Sequence, residues 1–81
     1  MKHIIKYEVP SSKLGFNTEQ EANDYRNWCH SELCKKFPGR VVCVSDREQR
    51  PMGYTDDVEN RKEIFEFIDS LPKAWANEVK V

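Results

Sequence analysis

The chain is short of glycine, histidine and net charge, and it contains no long apolar run. Its three glycines, Gly15, Gly39 and Gly53, stand far apart, so no glycine-rich loop exists to cradle a phosphate with backbone amides. Nucleophilic catalysis needs a cysteine or serine beside a base that a third group orients. Only His3 and His30 are available as imidazole bases. His3 opens a strand and His30 lies on the side of a helix, and neither follows a loop that would present catalytic groups. A formal charge of −1 removes the simplest electrostatic argument for nucleic-acid binding, which needs a surplus of Lys and Arg. No segment approaches the roughly 18 apolar residues of a membrane span, and the N-terminus lacks the apolar stretch of about 7 to 15 residues of a secretory signal. An odd count of three cysteines cannot pair completely within one chain, so reduced thiols and a cytoplasmic location are expected.

What remains is a chain of 81 residues, 38% apolar and 33% charged. That length has room for one modest core, and residues 1–81 read as a single small α+β domain. Up to Arg40 there are seven Lys or Arg against five acids, and from Val41 onward six against nine. The first half is therefore mildly basic and the second mildly acidic.

The segment His3 to Val9 alternates, with Ile5, Tyr7 and Val9 on one face and Ile4, Lys6 and Glu8 on the other, and Pro10 ends it. A loop over residues 10–17 folds Leu14 and Phe16 back onto the core. Thr18 with Glu21 is a capping-box pattern that opens a helix. Ala22, Tyr25, Cys29, Leu33 and Phe37 recur at helical spacing, and Pro38-Gly39 is the stop. Val41 to Ser45 reads as a well-buried strand. A hairpin turn over Asp46 to Gln49 then leads to a weaker strand, Arg50 to Thr55, which contains Pro51 and Gly53. Asp56 with Glu59 opens a second helix whose Val58, Ile64, Phe65, Ile68 and Leu71 face inward and which Pro72 closes. Val79 and Val81 alternate with Glu78 and Lys80, which suggests a last strand. The order is β-α-β-β-α-β, the ferredoxin-like split βαβ, an antiparallel sheet with two helices on one face. A βαβα unit is the alternative.

Cys29, His30 and Cys34 carry metal-ligating chemistry. On a helix His30 and Cys34 turn about 100° and 140° away from Cys29, so the three do not converge on one ion. Cys43 is expected near Cys29 in the core. No metal and no cofactor is expected. Glu59, Glu63 and Glu66, with Asp56, form an acidic stripe suited to a basic partner. Arg61 falls among Ile64, Phe65 and Ile68 on the helical wheel, and a charge there calls for a partner such as Asp57. Trp28 lies outside the apolar stripe beside Tyr25, and Trp75 is expected to anchor the tail.

The reading is thus a non-enzymatic protein-binding module, an inhibitor or adaptor of a larger complex, of the size found among viral and mobile-element accessory proteins. It contacts its protein partner through Trp28, Tyr25, Glu59, Glu63 and Glu66. Two alternatives stand beside it. One is a nucleic-acid binder using a local patch of Arg47, Arg50, Arg40, Lys35 and Lys36. The other is a homodimer formed through the open sheet face, where Ile4 is exposed.

Overall fold

The computed structural model describes residues 2–10, 16–46 and 52–79. Three strands and two helices follow in the order β1 (Ile4–Glu8), α1 (Glu19–Lys36), β2 (Val41–Ser45), β3 (Met52–Thr55) and α2 (Arg61–Ala74), and a π-helical turn, Trp75–Val79, continues α2. The class is α+β with a mixed sheet. No helix among the described residues is long and apolar enough to cross a membrane.

Strand β1 is central because both of its neighbours pair with it. β2 runs parallel to it, from Ile4 opposite Val41 to Glu8 opposite Ser45. β3 runs antiparallel on the other side, from Ile5 opposite Thr55 to Glu8 opposite Met52. The sheet order is therefore β2-β1-β3. This corrects the split arrangement, in which β3 would lie between β1 and β2. A parallel pair requires a crossover of a dozen or more residues, which α1 supplies. The expected hairpin between β2 and β3 does not form, because β1 lies between them. Asp46 to Pro51 also lacks the Asn-Gly or Asp-Gly dipeptide that favours a two-residue turn, and residues 47–51 lie outside the described part.

The two helices cover one face, as the periodicity predicts. Ile5 and Val9 are fully buried and Tyr7 nearly so, and they meet Tyr25, Cys29, Leu33 and Phe37 from α1 and Ile64, Ile68 and Leu71 from α2. Helix α1 starts where the capping box places it: the Thr18 hydroxyl oxygen accepts the Glu21 N–H at 3.0 Å. Glu19 and Glu21 in its first turn and Lys35 and Lys36 in its last complement the helix dipole. Gly39, at φ 84°, takes the left-handed conformation that lets the chain leave the helix and enter β2. β2 is not well buried. It is an edge strand, and of its five residues only Val42 is buried, while Val41 is 47% exposed.

Gly53 sits opposite Tyr7, on the side where α2 approaches. A Cβ there would lie 3.1 Å from Ile68 Cδ1 and 3.7 Å from Phe65 Cδ1. The glycine that weakens the strand by sequence is what lets the helix close on it. Gly53→Val is expected to cost about 1 to 3 kcal/mol through overpacking, measured by urea unfolding. Gly53→Ala, which needs only a small shift of the Ile68 side-chain end, should cost less.

The second helix begins later than expected. Asn60 precedes it with no side-chain capping bond, and the first helical residue is Arg61. Asp56 is used instead to fasten β3 to β1, accepting the Ile4 N–H at 2.9 Å and lying 3.3 Å from His3 Nδ1. Thr55 Oγ1 adds a bond to the Ile4 carbonyl at 2.9 Å. Val58, expected in the core, is 78% exposed because it precedes the helix rather than lying on its inner face. At the far end Pro72 does not close α2, which runs two residues further. Pro72 offers no N–H to the Ile68 carbonyl. The Trp75 N–H still reaches the Leu71 and Pro72 carbonyls, and from Trp75 to Val79 the coil takes π geometry. Residues 77–79 are thus helical rather than a fourth strand, and 80 and 81 lie outside the described part.

Candidate partner-binding surface

With both helices on one face, the other face of the sheet carries no covering element among the described residues. Strand alternation and register lay its side chains out as a grid. Cys43, Lys6 and Tyr54 share one row, and Ser45, Glu8 and Met52 share the next. Val41 and Ile4 lie side by side beyond Cys43 and Lys6. Met52 and Tyr54 are 43% and 50% exposed. Lys6 and Glu8 stand between two shallow depressions. One, of about 310 Å³, is lined also by Met52 and Tyr54, and the other, of about 260 Å³, by Cys43 and Ser45. The Ser45 hydroxyl donates to Glu8 at 2.7 Å, which helps fix the carboxylate on this face. The result is an amphipathic surface with one cation, one anion, an aromatic ring and a thioether.

The residues singled out on the helices are placed differently. Tyr25 is 1% exposed and belongs to the core, where its hydroxyl meets that of Tyr7 at 3.0 Å. Burial raises the pKa of both phenols. Trp28 is half-buried and packs on Tyr25 and Trp75, at ring-centre distances of 6.2 and 5.5 Å. Trp75 also meets Tyr25 edge-on at 5.4 Å, so it anchors the tail as expected. Phe16 closes the cluster 5.3 Å from Tyr25, while Leu14 lies outside the described residues. The aromatic group that read as a partner contact is thus largely internal packing.

Glu59 precedes α2, and only Glu63 and Glu66 of the acidic stripe lie on the helix. All three are exposed, with Glu63 3.9 Å from Lys36. Of the basic patch, Arg47 and Arg50 lie outside the described residues. Lys35 faces Glu32 at 3.7 Å, and Lys36 faces Glu63. Arg40 is engaged with Asp57, its Nε and Nη2 donating to Oδ2 at 2.8 and 2.7 Å. Each of these three cations therefore already faces a carboxylate.

Asp57 is the buried acid that was assigned to Arg61, and Arg40 has taken it. Arg61, at the first turn of α2, points outward and lies over the Phe65 ring at 5.5 Å. Asn60 Nδ2 donates to Asp57 Oδ2 at 3.1 Å, and the Asp57 N–H donates to Thr55 Oγ1 at 3.1 Å. The Arg40 guanidinium holds the Asp57 carboxyl below the usual aspartate range, and the Ile4 N–H, followed by His3, does the same for Asp56. A lowered folded-state pKa contributes stability that is complete above the unfolded value and lost as the pH falls through the folded one. Stability is therefore expected to hold above about pH 5 and to fall below about pH 4. In Arg40→Gln the acid transition, followed by circular dichroism, should move to higher pH.

Arg26, which no periodicity or motif singles out, makes long-range polar contacts that fasten the fold. It is 8% exposed, and its Nε donates to the Val9 carbonyl at 2.9 Å and its Nη1 to Asn23 Oδ1 at 2.7 Å. Its Nη2 lies 3.2 Å from Asp46 Oδ2. One guanidinium thus ties the end of β1 to α1 and to the residue after β2.

Cys29 is buried, whereas Cys34 and Cys43 are exposed. Cys43 lies on the uncovered sheet face rather than beside Cys29, since it alternates with the buried Val42. Burial pushes the Cys29 thiol up to about 12, which leaves it protonated at neutral pH and a poor nucleophile. His30 and Cys34 lie one turn apart, with Sγ 3.9 Å from Nδ1. No group of three or more metal-ligating side chains occurs among the described residues. Searches against protein-family models, curated proteins and solved structures return no match to this chain.

Proposed function

We propose that the protein is a non-catalytic binding module of the adaptor or inhibitor kind, which docks a protein partner on the uncovered face of its sheet. The observation that carries this reading is the exposure of Val41, Met52 and Tyr54 together on a face whose middle strand presents Lys6 and Glu8. A fitting partner offers a carboxylate to Lys6, a cation to Glu8, and apolar side chains to Tyr54 and Met52. Aromatic side chains supply contact area and the charges set register and partner choice. The burial of the paired Tyr7 and Tyr25 hydroxyls and of the Cys29 thiol, which raises their pKa values, withdraws these three groups from chemistry and supports the binding reading.

The test is crosslinking from a photoreactive residue placed at position 54, with a second probe at Glu66 on the outer side of α2. Crosslinks to one discrete protein from position 54, reduced by Lys6→Glu and absent from position 66, are expected. Equal labelling from both positions would contradict the assignment of this face.

A further inference from the structure

We infer that the partner of the uncovered sheet face is a second copy of this chain. The inference rests on the binding role proposed for that face and names its occupant. The argument is the order of side chains along the rows. Lys6 and Glu8 are neighbours on the same face of the central strand, on either side of Tyr7. Two sheets packed face to face lie about 10 Å apart with strands nearly aligned. Consider a two-fold axis in the plane between them, perpendicular to the strands and level with Tyr7. It reverses the strand direction and lays each strand over its own copy, so the row of Lys6 meets the row of Glu8.

Every member of those rows then meets a suitable group. Lys6 faces the partner's Glu8, and Glu8 faces the partner's Lys6. Tyr54 faces the partner's Met52, an aromatic–thioether contact. Cys43 faces the partner's Ser45. Each contact occurs twice, as a self-complementary two-fold interface requires. The other face-to-face arrangement, with the axis along β1, would set Lys6 on Lys6 and Glu8 on Glu8. Like charges select against it. Three strands, at about 4.8 Å spacing, make a patch smaller than the roughly 800 Å² per partner of standard interfaces, so the dimer is a weak one that forms with rising concentration and loosens with salt.

The experiment is sedimentation velocity of the full chain from about 1 μM to about 1 mM, with circular dichroism to show that each variant is folded. The wild type is expected to shift from monomer to dimer across this range. Lys6→Glu and Glu8→Lys should each weaken association by roughly a hundredfold, because each sets like charges together at two symmetry-related places. An equimolar mixture of the two variants restores opposite charges throughout and should dimerise. So should the double variant. A wild type that stays monomeric throughout overturns the proposal, and so does a dimer that neither single variant weakens. A monomeric wild type whose position 54 still crosslinks to another protein defeats this inference alone. Loss of both signals defeats the binding role as well. Binding of a labelled single-stranded oligonucleotide that Tyr54→Ala abolishes, with no dimer, would also overturn it.

Discussion

Arg26→Ala should lower the stability of the fold by about 3 kcal/mol. The guanidinium is nearly buried and bonded to the Val9 carbonyl, to Asn23 and to Asp46. Its removal leaves a main-chain acceptor at the end of the central strand without that donor. A domain of this length has roughly 4 to 12 kcal/mol in all, so the variant loses a large share of it. Arg26→Lys should recover only part, because an ammonium on a flexible stem cannot reach three separate acceptors as a planar fork does. Asp46→Asn should cost less than about 1 kcal/mol, since Asp46 is 41% exposed and its pair with Arg26 is partly screened by water. Urea titration of the three variants separates these expectations.

Trp75→Ala is the second large effect, about 3 kcal/mol, or a fall in melting temperature of roughly 15 °C for a domain of this size. Trp75 meets Tyr25 and Trp28, so its loss opens the aromatic cluster from the tail side and releases the π-helical turn. The indole Nε1 is buried and has no hydrogen-bond acceptor among the described residues. Trp75→Phe, which removes that group and keeps a ring, should therefore lose much less than Trp75→Ala. If the two substitutions proved equally costly, the cluster would not be held by ring packing.

The parts of the fold that depend on neighbouring residues were legible in the sequence. Thr18 with Glu21 fixed the start of α1, the spacing of Ala22, Tyr25, Cys29, Leu33 and Phe37 fixed its inner face, and the alternation around Ile5, Tyr7 and Val9 fixed the buried side of β1. The parts set by distant pairing were not. Nothing local says whether Val41–Ser45 lies beside β1 or beyond another strand, and the short gap to Met52 resembles a hairpin. Asp56 and Glu59 have capping spacing, yet Asp56 is claimed by the Ile4 N–H at the other end of the chain, so the helix starts at Arg61. The same shift turns Arg61 outward and gives Asp57 to Arg40. Pro72 likewise lies inside α2 instead of ending it. A proline stops the normal hydrogen-bond ladder, but Trp75 has enough ring contact to hold the chain in a wider coil past it.

The candidate surface was half legible. Alternation placed Ile4, Lys6 and Glu8 on the outer side of β1, and an open sheet face was foreseen. Met52 was missed because Pro51 and Gly53 weakened the reading of β3 as a strand. Trp28 and Tyr25 drew attention as large aromatics near charged neighbours, but composition alone does not distinguish an interface aromatic from one packed under a tail.

Cys43 offers a direct measure of the central claim that the sheet face is uncovered in the isolated chain and becomes covered on association. Its alkylation rate, followed by mass spectrometry beside that of Cys34 on α1, should be high in dilute solution. It should fall several-fold as protein concentration rises, while Cys34, on the outer side of its helix, keeps its rate. Slow alkylation of Cys43 at every concentration, or rates for both thiols that never depend on concentration, would contradict the account.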